Sequence, residues 1–202
     1  PIYSALGRVW LDIAQARQDP SALSKAVEAL ERVGASTAAT SEALTLYGRA
    51  LLESGRVDVA ERALQQATER YPVQPAAFWF YATAAEQQKH FDVARQALLQ
   101  YDALTADQSG LAIRASRIAA LSSRLNDFKT AAAWLERAVA ATPNDRRLLA
   151  PLAEAQLKSG DQPAARATIA RALEKDPENA ALLALGRRAG SSKSGTALQS
   201  AR

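Results

Sequence analysis

At 202 residues, 48% of them hydrophobic, the chain is long enough to bury a substantial core, and without cysteine it has no disulfides, thiolate metal sites or cysteine nucleophiles. Its formal charge is +4, from 25 basic against 21 acidic residues, yet the two signs alternate along nearly every segment, which argues against a block that binds nucleic acid. Glycine and proline are sparse and fall between apolar-periodic segments, as in a packed all-α protein, and no stretch reaches the roughly 18 uninterrupted apolar residues of a membrane span.

The chain opens at Pro1 inside a predicted helix (Ser4 to Arg17) and contains no methionine, so it reads as an excerpt of a longer protein. Asp19-Pro20-Ser21 then supplies a cap and a first-turn proline for a second helix. The stretch Gly48 to Pro72 folds two short amphipathic helices around Gly55: Gly48 and Leu51 precede the break, and Ala60, Leu64 and Ala67 follow at helical spacing. Small residues mark where two backbones approach closely, and large ones fill the space between.

This pattern recurs along the chain. The second-helix alanine falls at Ala26, Ala60, Ala94, Ala131 and Ala165, with Leu30, Leu64, Leu98, Leu135 and Ile169 four residues on. Val33, Ala67, Tyr101, Ala138 and Ala172 form the next contact column. In the first helices the bulky position holds Trp10, Leu44, Phe78, Ala115 and Leu149. Three residues later stand Ile13, Tyr47, Tyr81, Ile118 and Leu152, each followed by a small residue: Ala14, Gly48, Ala82, Ala119 and Ala153. Three extra residues between the third and fourth copies fall in the turn-rich Thr105 to Gly110. Prolines 72, 143 and 177 stop second helices, and Glu178 to Ala189 reads as one more helix, apolar on the side facing the fifth copy.

The order Gly, Leu, Gly, Ala, Leu, Ala, Pro over Gly48 to Pro72 resembles the tetratricopeptide repeat, a helix-turn-helix unit of 34 residues. The resemblance implies an all-α, right-handed superhelical solenoid of such repeats with a C-terminal capping helix. One domain would span 1–189, with repeats at about 7–40, 41–74, 75–111, 112–145 and 146–179, the cap at 178–189 and a flexible tail at 190–202. It further implies that the first helices line a concave groove that binds an extended peptide or a partner helix. Arg8, Leu11 and Gln15 would lie there in the first repeat and Thr45 in the second. The candidate partner-binding residues are Arg49, Glu53, Trp79, Thr83, Glu86, Arg124, Glu154 and Lys158. The Trp79 indole either faces the groove as an apolar anchor or packs on a neighbouring repeat. The lysine and asparagine pairs with which members of the family clamp chaperone tails are replaced by Leu11 with Gln15 and Thr45 with Arg49.

Nothing in the chain points to catalysis, a cofactor or a metal. The single histidine, His90, sits in the turn Gln87-Gln88-Lys89-His90 without a neighbouring base or nucleophile, and with no cysteine a zinc site would need carboxylates throughout. No Walker loop or Gly-x-Gly-x-x-Gly occurs. Carboxylate pairs such as Glu53 with Asp58 lie at helix ends, where they serve the helix dipole.

The expected function is therefore a protein-interaction module or scaffold in a larger assembly, without enzymatic activity and without membrane insertion. Its alanine- and arginine-rich usage suits a bacterial, high-GC genome. A periplasmic assembly or secretion factor is a narrower alternative, and the cytoplasm and periplasm both stay open. RNA binding, the alternative from another class, needs side chains that repeat along the groove; positions 15, 49, 83, 120 and 154 hold Gln, Arg, Thr, Ala and Glu. Self-association through an uncapped first repeat is a further reading.

Overall fold

Helix pairs form here because small residues on one helix admit the leucines of the next. The computed structural model describes residues 2–105 and 109–191, with no strand among them. It divides into two compact units, Pro1–Ala106 and Asp107–Arg202. The first holds α1 (Ile2–Arg17), α2 (Pro20–Gly34), α3 (Ser41–Glu53), α4 (Val57–Thr68), α5 (Pro75–Gln87) and α6 (Phe91–Leu104). The second holds α7 (Leu111–Arg124), α8 (Phe128–Ala141), a 3-10 turn (Arg146–Leu148), α9 (Leu149–Lys158), α10 (Gln162–Leu173) and α11 (Ala180–Ser191).

In the first unit, α1 packs on α2, α3 on α4 and α5 on α6 as hairpins; α2 also packs on α3 and α4 on α5, and the first helices α1, α3 and α5 lie side by side. The second unit repeats the scheme, α7 with α8 and α9 with α10, and α11 closes on both α10 and α9. The five second-helix alanines are each 0% exposed, and the leucine column from Leu30 to Ile169 is buried throughout. A fully buried leucine contributes about 1.5–3 kcal/mol, so this column alone is a large share of what holds each pair together. The contact is tight at Gly48: a Cβ there would stand 2.6 Å from Leu64 Cδ2 and closer still to its Cγ.

Turns and caps follow the same economy of sequence. Each hairpin turn carries one residue in the left-handed region: Gln18 (φ 51°), Gly55 (77°), Lys89 (64°), Asn126 (60°) and Gly160 (88°). Glycine enters that region without strain, whereas Gln18 and Lys89 are held there by the helices on either side. Side-chain caps start the helices that follow. Asp19 accepts from the Ser21 amide at 2.8 Å, Thr40 from Ala43 at 3.2 Å, Asp127 from Thr130 at 3.2 Å and Asp161 from Ala164 at 3.1 Å, each cap worth about 1 kcal/mol. Helices end two to four residues before the prolines read as their stops, since α4 closes at Thr68, α8 at Ala141 and α10 at Leu173.

The last helix starts at Ala180, capped by the Asn179 side chain on the Leu182 amide at 3.1 Å. It buries Leu182, Leu185 and Ala189 against Ile169, Ala172 and Ala153. It does not stop before Gly190, as its sequence suggests, but runs through Ser191. The Arg166 guanidinium, donating to the Ala189 carbonyl at 2.6 and 3.1 Å, satisfies a last-turn acceptor and holds that end. Of the expected tail, residues 192–202 lie outside the described residues. So do positions 106–108 of the lengthened loop, at whose far end the buried Arg114 donates to the Ser109 carbonyl at 2.9 Å.

Two outcomes test this packing. Gly48→Ala should destabilise, because overpacking of about 1–3 kcal/mol at a fully buried leucine outweighs the roughly 1 kcal/mol that alanine gains over glycine in a helix. Gly186→Ala should stabilise by up to about 1 kcal/mol, since its new Cβ would meet Ile169 Cγ2 at an ordinary 3.7 Å; thermal melts of the two variants should move in opposite directions.

A second test uses Tyr47, whose phenol is pushed above its ordinary value first by burial and then by Glu31, with Arg56 opposing. A raised pKa means stability that is complete below about pH 10 and is lost as pH rises through the folded-state value, because the unfolded chain ionises first. Tyr47→Phe should therefore flatten the alkaline fall in stability measured by urea unfolding. An unchanged pH profile would show that the phenol is freely hydrated.

Candidate functional site

The first helices of unit one present a row of side chains paired across repeats. The Arg8 guanidinium on α1 donates to the Glu42 carboxylate on α3. Two turns further along α1, Gln15 Nε2 donates to Glu53 Oε1 at 2.7 Å, and Arg49 Nε donates to the same oxygen at 3.0 Å. The Arg49 guanidinium also lies 5.8 Å from the centroid of Phe80 on α5. A guanidinium over a ring face is attracted to it, so Arg49 links its own helix to the next repeat. Arg49 and Glu53 are partly covered, with side-chain exposures of 26% and 30%.

Trp79 on α5 is half-buried, its ring tilted 54° to that of Tyr101 on α6 with centroids 5.3 Å apart. Thr83, one turn further, donates its hydroxyl to the Trp79 carbonyl at 3.0 Å. Glu86 lies half-buried near the end of the same helix. The packing partner of the indole is thus the second helix of its own repeat. Tyr101 is outsized in a column that elsewhere holds Val33, Ala67, Ala138 and Ala172, and that mismatch is the signal by which the pair could have been found.

Two positions read as groove-lining belong to the core. Leu11 is 0% exposed, packed with Ala26 and Leu30, while the neighbouring Trp10 stays half-buried with the Lys25 ammonium 4.5 Å above its ring. Thr45 is 5% exposed and donates its hydroxyl to the Ser41 carbonyl at 2.7 Å, the usual way a buried helical threonine satisfies itself.

In unit two, Arg124 is exposed at the end of α7. Glu154 and Lys158 pair along α9 at 2.8 Å, and the Lys158 ammonium lies 5.0 Å from the Phe128 ring on α8. Glu154 also borders a shallow groove of about 370 Å³ between α9 and α11, with Ala150, Ala184 and Arg188. The structure therefore joins Arg49 with Glu53, Trp79 with Thr83, and Glu154 with Lys158.

Elsewhere, His90 Nδ1 lies 2.8 Å from Glu61 Oε1, a tie between the α5–α6 turn and α4. Among the described residues no group of three or more His, Cys, Asp or Glu stands close enough to hold a metal ion, and no helix is long and apolar enough to cross a membrane.

No curated protein is matched by the sequence. Solved structures are similar in fold. MamA from MSR-1 is 21% identical, with 89% of this chain and 100% of that chain covered at a TM-score of 0.66. MamA 41-end from Desulfovibrio magneticus RS-1 is 14% identical, with 86% and 97% covered at 0.62. Cut9, in the APC/C hetero-tetramer Cut9-Hcn1, is 15% identical, with 91% of this chain and 36% of that chain covered at 0.56. Two family models described as tetratricopeptide repeat match residues 45–110 and 124–189, which together take in most of the paired helices. On these matches, and on the buried alanine and leucine columns that underlie them, the chain belongs to the tetratricopeptide repeat family.

Proposed function

We propose that the chain is a protein-interaction scaffold that binds an extended peptide or a partner helix along the first helices α1, α3 and α5. The observation that carries this reading is the shared Glu53: Gln15 and Arg49 hold its carboxylate, and Phe80 holds Arg49. Side chains fixed in this way lose little rotamer entropy when a partner arrives. They also keep capacity for it, since a guanidinium has five donors and a carboxylate about four acceptor sites. A peptide backbone, with one donor and one acceptor per residue, fits such a row. Trp79, stiffened by Tyr101, adds a rigid apolar contact beside it.

The likeness to Cut9, solved in a hetero-tetramer with Hcn1, supports a place in a multi-component assembly. The likeness to MamA of Desulfovibrio magneticus is in keeping with the bacterial composition.

The test is capture of the native partner, followed by titration against three variants with helicity checked by circular dichroism. Trp79→Ala should lose about 2 kcal/mol or more of binding energy, and Arg49→Ala a smaller amount that shrinks further at high salt. Arg62→Ala, on the exposed face of α4 where Arg62 meets Asp58 at 3.4 Å, should bind as the parent. Loss with the Arg62 variant and none with the other two would move the site to the opposite face.

A further inference from the structure

Helix α1 is apolar on two faces. One carries Gly7, Leu11 and Ala14 and is buried, Gly7 against Leu30 of α2. The other carries Ile2, Leu6, Val9, Ile13 and Ala16, a spacing that returns to one side of a helix. It stands open: Ile2 is 78% exposed, Val9 53% and Leu6 43%. Elsewhere in unit one the described residues that expose large apolar side chains, Tyr71 and Leu104, stand apart from each other. A helix apolar on both faces belongs in an interior, and α3 shows how. It packs on α4 with one face and on α2 with another, where Tyr47 is seated on Gly34. On α1 the second face has no such cover among the described residues.

We infer that a second copy of this chain covers it, the two α1 helices packing antiparallel about a two-fold axis at Val9. The stripe is complementary to itself in that arrangement. Ile2 and Ala16 stand seven residues either side of Val9, and Leu6 and Ile13 three and four, so Ile2 meets Ala16 of the second copy, Leu6 meets Ile13 and Val9 meets Val9. A large side chain thus falls on a small one at both ends. A parallel pair would set Ile2 on Ile2 and Ala16 on Ala16, and would align the two helix dipoles.

Charge agrees with this pairing. Arg8 and Asp12 border the stripe on one side, a turn apart and on either side of Val9. The two-fold axis keeps like borders together, so each Arg8 meets the Asp12 of the second copy, twice in the dimer. Asp12 is exposed and has no ion pair among the described residues, and Arg8, which donates to Glu42, keeps donors to spare. Because that border is the one facing α3, the dimer sets two rows of α1, α3 and α5 side by side. The pairing does not depend on what those rows bind.

The absence of cysteine makes the test direct. In sedimentation velocity the chain of 21.6 kDa should dimerise with a dissociation constant on the order of micromolar, as suits a single helix pair. Val9→Glu, which sets two carboxylates together on the axis, should weaken the dimer at least about a hundredfold with helicity unchanged. Should that variant fail to fold, Asp12→Arg at an exposed position decides, with an expected loss of about tenfold. Single cysteines read the register. Under oxidation Val9→Cys should link to itself and Ile2→Cys should not, whereas Ile2→Cys mixed with Ala16→Cys should link. The inference is overturned if the chain stays monomeric through about 100 μM, if folded Val9→Glu or Asp12→Arg dimerises as the parent, or if Ile2→Cys links to itself. Partner affinity is a separate readout: a monomer that binds the captured partner overturns this inference alone. A dimer whose affinity for that partner ignores both Trp79→Ala and Arg49→Ala overturns only the α1–α3–α5 reading.

Discussion

The closeness of two helix backbones at each small residue is what the rest of the structure depends on. A side chain at Gly48 would collide with Leu64, and the alanines at the matching positions, Ala82, Ala119 and Ala153, are 0–1% exposed. Helices that approach this closely pack along their whole length, and the pair then turns its remaining apolar stripe to the next pair. The turn has to absorb the tight reversal. That is why a left-handed residue recurs in all five hairpins, even where the sequence offers glutamine or lysine in place of glycine.

Much of this was legible beforehand because the constraint is steric and repeats. Alanine in a column cannot drift to leucine without overpacking, so the spacing of Ala26, Ala60, Ala94, Ala131 and Ala165 survives as a pattern, and all five are fully buried. Helix ends were less legible. Proline forbids a helix from continuing but does not say how far short of it the helix stops, and the stop at Thr68 lies four residues before Pro72. The extension of α11 past Gly190 depends on Arg166, a residue on another helix whose reach no local pattern records.

The candidate groove divides along the same line. Which residues lie on the first helices follows from periodicity, but which of them meet depends on rotamers and on neighbouring repeats. Arg49 with Glu53 could be anticipated as a pair one turn apart; the sharing of Glu53 with Gln15, and the stacking of Arg49 over Phe80, could not. At Leu11 the family pattern misled, because the broad indole of Trp10 stays half-buried under Lys25 while the slimmer leucine fills the core.

A repeat array makes departures informative in a way that a single core does not. Every position has counterparts in the same chain, built from the same backbone geometry, so an unusual residue is judged against residues doing the same job a few tens of positions away. By that standard Tyr101 is too large for its column, and the extra volume is taken up by Trp79. Leu152 matches Ile13 and Ile118 of its column in size, and tyrosine stands there only at Tyr47 and Tyr81. Gln156 and Thr168 put polar atoms where the second and third repeats have Leu51, Ala85, Ala63 and Ala97, and the three groups Thr168, Gln156 and Glu136 are joined in one hydrogen-bonded chain. Excess size matched by a neighbour is compensation, and adds to rigidity. Buried polar atoms that satisfy one another are compensation of a second kind, since the same groups left unpaired would cost the stack about 1–3 kcal/mol each.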